Sequence, residues 1–271
     1  MNSHICHVIT TLNSGGAEQY VVQLSNYLVS SGHRVSIVAG EPQVLRERLD
    51  ADINVLTLQM HPGEARSLSR YFRILLPAVS RLFAHFRREH VTLVHTHLAA
   101  SALPAWIAAK LCGIPVIHSK MHTESIRSRY ERIVFASRIP LLLVDRFLAF
   151  TRYSEDEIRR YWHVTPLRIL SSSIGVDAAR HLPSSQATAI SRNTYGLSPD
   201  DRVMLVVARL YPEKGVELAI HAAHALDDPR IVLLIAGDGP QREFLESLVQ
   251  DVPSRTRIRF LGLLQDTRPA Y

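Results

Sequence analysis

Short, continuously apolar runs separated by longer stretches of helical character constrain this chain more than any other feature. The runs are 5–10, 34–39, 53–58, 92–97, 115–119 and 146–151, and helix candidates lie between them at 17–31, 66–89, 98–112 and 154–163. An apolar run without alternation fits a strand buried on both faces. Such strands belong to a parallel sheet whose crossover helices cover both sides. The expectation is therefore an α/β fold.

The pattern restarts near residue 200. Strands are expected at 203–208, 231–237 and 258–262, with helices at 214–225 and 240–250. The stretch 178–200, with Pro183, Ser184, Ser185 and Pro199, reads as a linker. The expected division is a first domain over 1–177, a linker over 178–200 and a partial second domain over 201–271. Three strands are few for an open parallel sheet, so the second domain reads as incomplete and the chain as a truncated one.

Composition supports packed domains. Hydrophobic residues make up 46% and charged residues 21% of 271, which excludes a disordered chain or a coiled coil. Two cysteines, Cys6 and Cys112, cannot form a disulfide framework, and a reducing compartment is expected. No basic segment precedes the first apolar run, so no secretion signal is expected. The longest apolar stretch, 139–150, is interrupted by Asp145 and Arg146 and falls short of a membrane span. A cytoplasmic protein is the expectation.

Charge is unevenly placed. The net charge is +6, and residues 1–183 hold 21 Lys+Arg against 14 Asp+Glu, leaving the remainder near neutral. An anionic partner is implied, such as a phosphate-bearing ligand or an acidic membrane surface. Zinc-finger spacing, an aromatic RNA-binding motif and a long basic block are all lacking, so nucleic acid is not expected. Residues 66–88 carry arginines 66, 70, 73, 81, 87 and 88 and no acid. That pattern reads first as a helix packed on the sheet with a solvated basic face, with peripheral contact with an anionic membrane as the alternative. Pro77 is expected to kink or divide this helix.

Chemistry concentrates where strands end. Gly15 and Gly16 follow the first strand and open a helix. Paired glycines let a ligand approach the backbone, and a helix N-terminus favours an anion, although a plain strand-to-helix turn needs the same residues. The dinucleotide pattern G-x-G-x-x-G does not occur there. After residue 207 come Arg209, a fork for phosphate oxygens, and Lys214, the only lysine beyond residue 120. Gly237, Asp238 and Gly239 make another turn after a strand. His95 and His97 share one strand face, but no Cys, Asp or Glu lies at a matching spacing, and no metal site is expected.

These motifs occur in one order. Gly15-Gly16-Ala17-Glu18, Val94 to His97, Val116-Ile117 leading to His122, Ile174 to Asp177, Ala208-Arg209-Leu210 with Lys214-Gly215, and Ala236 to Pro240 together resemble the family 4 glycosyltransferases. The resemblance implies the GT-B architecture of two facing Rossmann-like domains. It implies retaining transfer of a sugar from a nucleotide-diphosphate donor to a glycan or lipid-linked acceptor, in cell-surface glycan synthesis, with no cofactor and no obligatory metal. Arg209 and Lys214 would then bind the donor diphosphate, the amides at Gly15 and Gly16 would close over it, and His122 would stand near the transferred sugar. A nucleotide-sugar epimerase of the same architecture and an inactive binding remnant are the alternatives. Two departures stand out. Ile174 occupies a position where the family usually has asparagine, and the family's two glutamates eight positions apart do not occur.

Overall fold

A computed structural model of the protein describes residues 3–13, 15–60, 68–98, 101–121, 138–175, 192–251, 253–264 and 267–270. The chain divides into two compact units, Met1–Gly175 and Val176–Tyr271.

The first unit is a doubly wound parallel sheet. Its strands are β1 (His4–Thr11), β2 (Arg34–Gly40), β3 (Asn54–Thr57), β4 (Leu93–His97), β5 (Val116–Lys120), β6 (Arg146–Ala149) and β7 (Ile169–Ser171). They lie in the order β3-β2-β1-β4-β5-β6-β7. The order reverses between β1 and β4. In open α/β sheets that reversal opens a crevice beyond the carboxyl ends of the strands, where ligands bind.

The crossover helices are α1 (Gly16–Ser30), α2 (Leu68–Arg88), α3 (Ala102–Leu111), α4 (Ile139–Leu143) and α5 (Arg152–Trp162). Each sheet face has its own core. Cys6, Val8 and Val94 pack with Leu82, Phe86 and Trp106 on one side. Ile9, Val21, Val22 and Ile37 pack with Leu12 on the other. The period-two alternation of β1 feeds both cores, which is why its sequence is apolar without a break.

Pro77 lies inside α2 without dividing it. Leu75, Ala78, Leu82 and Phe86 are all buried and recur at helical spacing on both sides of the proline. That continuous packed face holds the helix together across the missing amide. The sequence placed α3 from residue 98. Leu98 instead adopts a positive φ of 64°, and α3 starts at Ala102. Thr151 begins α5 with a reciprocal cap, its hydroxyl accepting from the Ser154 amide at 3.0 Å.

The second unit holds β8 (Arg202–Val207), β9 (Ile231–Ala236) and β10 (Arg257–Gly262), parallel and ordered β10-β9-β8. Helices α6 (Val216–Leu226) and α7 (Arg242–Asp251) cross between them. Val216, Ile220 and Ala223 of α6 and Leu245 of α7 meet Leu233 and Ile235 of β9 in one core. Part of the expected linker is bound into this unit. Arg259 donates to the Tyr195 and Gly196 carbonyls, and Arg257 pairs with Asp201. Residues 176–191 lie outside the described residues.

Candidate functional site

Both units present glycine turns at the carboxyl ends of their strands. In the first unit, Gly15 is the extended N-cap of α1, with φ −102° and ψ 166°, and Gly16 is the helix's first residue. Gly15 itself has no side chain with which to cap this end. A Cβ on Gly16 would meet nothing within 4 Å, so the turn is open on that side. A Cβ on Gly15 would fall 2.1 Å from Glu18 Oε2. The Glu18 carboxylate is thus folded back over Gly15, and Thr11 Oγ1 donates to its other oxygen at 3.3 Å. An anion approaching these amides must displace that carboxylate, a feature the motif did not reveal.

The second unit is more closely built. Arg209 follows β8 and is exposed, with its guanidinium 4.8 Å from the Tyr211 ring centre. Lys214 is exposed at the end of a single 3-10 turn, Pro212–Lys214, and Gly215 then adopts φ +59° to start α6. Neither cation is in an ion pair among the described residues. The turn after β9 lies against the backbone on either side of Arg209. The Leu210 amide donates to the Asp238 carbonyl at 3.0 Å, the Gln241 amide to the Leu210 carbonyl at 3.1 Å, and the Gly237 amide to the Gly262 carbonyl at 2.8 Å. Asp238 turns its own Oδ1 inward to accept from the Gly239 amide at 2.8 Å. The structure therefore brings Arg209, Gly237, Asp238 and Gly239 together at one sheet edge, with Lys214 at the end of the same loop. Two unpaired cations beside such a turn suit a diphosphate. His122 lies outside the described residues.

The first sheet also gathers histidines that sequence spacing could not associate. His7 of β1 pairs in register with His95 of β4, and His97 follows two residues on, so all three point to the α1 side. His7 Nδ1 and His97 Nε2 are 3.0 Å apart, and His95 Nε2 lies 2.7 Å from Ser119 Oγ. Burial holds the imidazoles neutral, pushing His7 down to about 4 and His95 and His97 well below the ordinary value. His118 sits on the opposite face, bonded to Thr96 Oγ1 at 2.9 Å, and burial pushes it down to about 3. The signal that finds this cluster is strand adjacency, since His7 and His95 are far apart in the chain.

A doubly wound parallel sheet joined to a second, smaller parallel α/β unit, with glycine turns at the strand ends of each, defines the Rossmann-like pair of the GT-B class. The chain belongs to glycosyltransferase family 4, whose model matches residues 14–180, and the model for glycosyl transferases group 1 matches residues 188–270. A D-inositol 3-phosphate glycosyltransferase 2 from Catenulispora acidiphila is 28% identical over 92% of this chain and 59% of its own length. A D-inositol 3-phosphate glycosyltransferase from Corynebacterium glutamicum is 26% identical over 96% of this chain and 66% of its own. The chain thus spans roughly three fifths of the length of the curated relatives it matches. Among solved structures, Anabaena Alr3699/HepE in complex with UDP and glucose is similar with a TM-score of 0.80 at 16% identity, covering 99% of this chain and 71% of that one. A glycosyltransferase from Rickettsia africae is similar at 0.79, also at 16% identity, covering 100% and 71%. These likenesses establish the fold.

Proposed function

We propose that the chain belongs to a glycosyltransferase that takes a sugar from a nucleotide-diphosphate donor, and that its second unit binds the donor diphosphate. The observation that carries this reading is Arg209, held beside the tightly packed turn Gly237–Gly239, with Lys214 at the end of the same loop and neither cation in an ion pair among the described residues. As the bond from the anomeric carbon to the diphosphate breaks, its electron pair goes to the leaving oxygen. Two cations at that loop would stabilise the charge as it develops. The acceptor's hydroxyl oxygen forms the new bond to the anomeric carbon, and its proton passes to the departing diphosphate. Retention of configuration and a glycan or lipid-linked acceptor in surface-glycan synthesis are the finer reading. Gly15, Gly16 and His122 remain assignments of the family resemblance. The Anabaena neighbour's complex with UDP and glucose makes a uridine donor the first to try. The relatives' names put D-inositol 3-phosphate on the acceptor panel.

Calorimetric titration of the chain with UDP, GDP and ADP tests the donor reading. Binding of one diphosphate that weakens at least tenfold in both Arg209→Ala and Lys214→Ala supports it. Absence of binding for every nucleotide, or wild-type affinity in both variants, refutes it. An epimerase would instead interconvert two nucleotide sugars with no acceptor present.

A further inference from the structure

The His7, His95 and His97 cluster is not used by the donor reading, and it has the makings of a site of its own. One potential ligand atom from each imidazole lies within 4.8 Å of the others. The three residues are 0%, 6% and 0% exposed. Their ring centres are 4.1 to 5.2 Å apart. Within the described residues, His7 Nε2 and His97 Nδ1 have no hydrogen-bond partner. A buried polar group without a partner is costly, so this trio is not a closed hydrogen-bond network.

We propose that His7, His95 and His97 bind a single divalent transition-metal ion of the zinc class, which ties β1 to β4. Adjacency of parallel strands supplies the geometry. His7 and His95 are opposite one another in register, and His97 is the next residue on the same face. In a tetrahedral site with metal–nitrogen bonds of ~2.0–2.1 Å, ligand nitrogens stand about 3.4 Å apart. His7 Nδ1 and His97 Nε2 share a hydrogen bond at 3.0 Å, so the ion would take the place of the proton between them, with the two nitrogens parting by only a few tenths of an ångström. The contact between His95 Nε2 and Ser119 Oγ orients the third ring as an outer partner does, leaving His95 Nδ1 for the metal.

Donor chemistry selects the ion. Three imidazoles with no carboxylate favour zinc, cobalt, nickel or copper over magnesium or calcium, which require oxygen ligands. Burial keeps the rings neutral, the form that binds metal. Cys6, though adjacent in sequence, packs in the core of the other sheet face and is no ligand. Tyr20 of α1 covers the cluster, its ring centre 6.0 Å from that of His97. The ion would brace the two strands that flank the reversal in strand order, and it takes no part in sugar transfer.

The test uses the full chain, stripped with chelator and titrated with cobalt(II), then separately with zinc(II). One equivalent of cobalt should give the intense visible bands of a four-coordinate ion. Zinc at about a hundredfold excess over its Kd should raise the unfolding midpoint by roughly 5 °C or more. His7→Gln and His97→Gln should lose the bands and the rise. Cobalt scattered over surface imidazoles stays six-coordinate and nearly colourless, so the wild-type spectrum decides the matter even where a variant does not fold. A colourless wild-type titration, or bands retained in folded His97→Gln, overturns the proposal. Nucleotide binding is read separately, so failure of the metal site leaves the donor reading standing.

Discussion

Gly237 and Ala208 meet backbone to backbone: a Cβ on Gly237 would lie 1.8 Å from the Ala208 carbonyl oxygen. Gly239 repeats the relation one turn on, with its Cβ position 2.5 Å from the Leu210 carbonyl oxygen. Both glycines have positive φ, 145° and 159°. The turn after β9 can lie against the Arg209 loop only because these two positions carry no side chain.

Gly237→Ala should therefore destabilise the second unit by about 3 kcal/mol or more, since backbone must move to admit the methyl. Gly16→Ala is the internal contrast, because its Cβ enters open space at the first residue of a helix. It should change stability by less than about 1 kcal/mol. Urea unfolding followed by circular dichroism checks both. Equal stability of the two variants would mean that the close approach carries no energy.

The same packing bears on how much the sequence revealed. The positions of the strands follow from unbroken apolar runs, which is why β1 through β6 are legible as strands, while their order in the sheet is not. β7 is not legible as a strand, because Leu170 and Ser171 are exposed and the strand is short. α4 is hidden inside the apolar stretch that continues into β6, where periodicity cannot separate a single helical turn from a strand. Arg209, Gly237 and Gly239 could be located at strand ends by their residue types. Their contact could not, since it is made by backbone atoms. The His7 partner to His95 was invisible for a related reason, as sequence spacing carries no information about which strands become neighbours.

In a version extended to the full length of the curated relatives, Arg209→Ala and Lys214→Ala should each reduce sugar transfer by ~10²-fold, the usual effect of removing one charge partner of a developing oxyanion. Both side chains are exposed, so unfolding midpoints should hardly move. Arg209→Lys should recover only part of the loss, because an ammonium lacks the planar fork and stacks less well on Tyr211. Steady-state turnover with a saturating acceptor is the measurement, and wild-type rates in both alanine variants would exclude these cations from the chemistry.

The solvent face of α2 exposes Arg73, Arg81, Arg87 and Arg88, together with Leu76 at 67% and Phe83 at 38%. Among the described residues no helix is long and apolar enough to cross a membrane. A basic face with exposed apolar side chains suits peripheral attachment. The chain should cosediment with vesicles containing anionic lipid at low salt and be released at high salt. Each arginine near such a surface contributes about 1 kcal/mol, so Arg73→Gln with Arg81→Gln should weaken binding roughly thirtyfold. Equal sedimentation with neutral and anionic vesicles would leave the face merely solvated.

Acid should unfold the metal-free first unit earlier than its carboxylates alone would dictate. His7 has a folded pKa pushed by burial from 6.5 to about 4, and His118 is pushed to about 3. His95 and His97 are also pushed well below 6.5, again chiefly by burial. Below pH 6.5 the unfolded chain takes up protons that the folded chain refuses. The unfolded state then binds more protons, and stability falls as pH falls. The loss begins near 6.5 and is complete for each residue only below its folded pKa. For His7 alone it amounts to on the order of 3 kcal/mol by pH 4. Urea midpoints measured between pH 7.5 and 4.5 should decline steadily across this window. His118→Gln should flatten part of the slope even where it lowers stability at neutral pH, because it removes one proton-binding site from the unfolded state. A wild-type midpoint constant from pH 7 to 5 would show that the buried imidazoles already carry charge in the folded protein, and the neutral cluster would have to be abandoned.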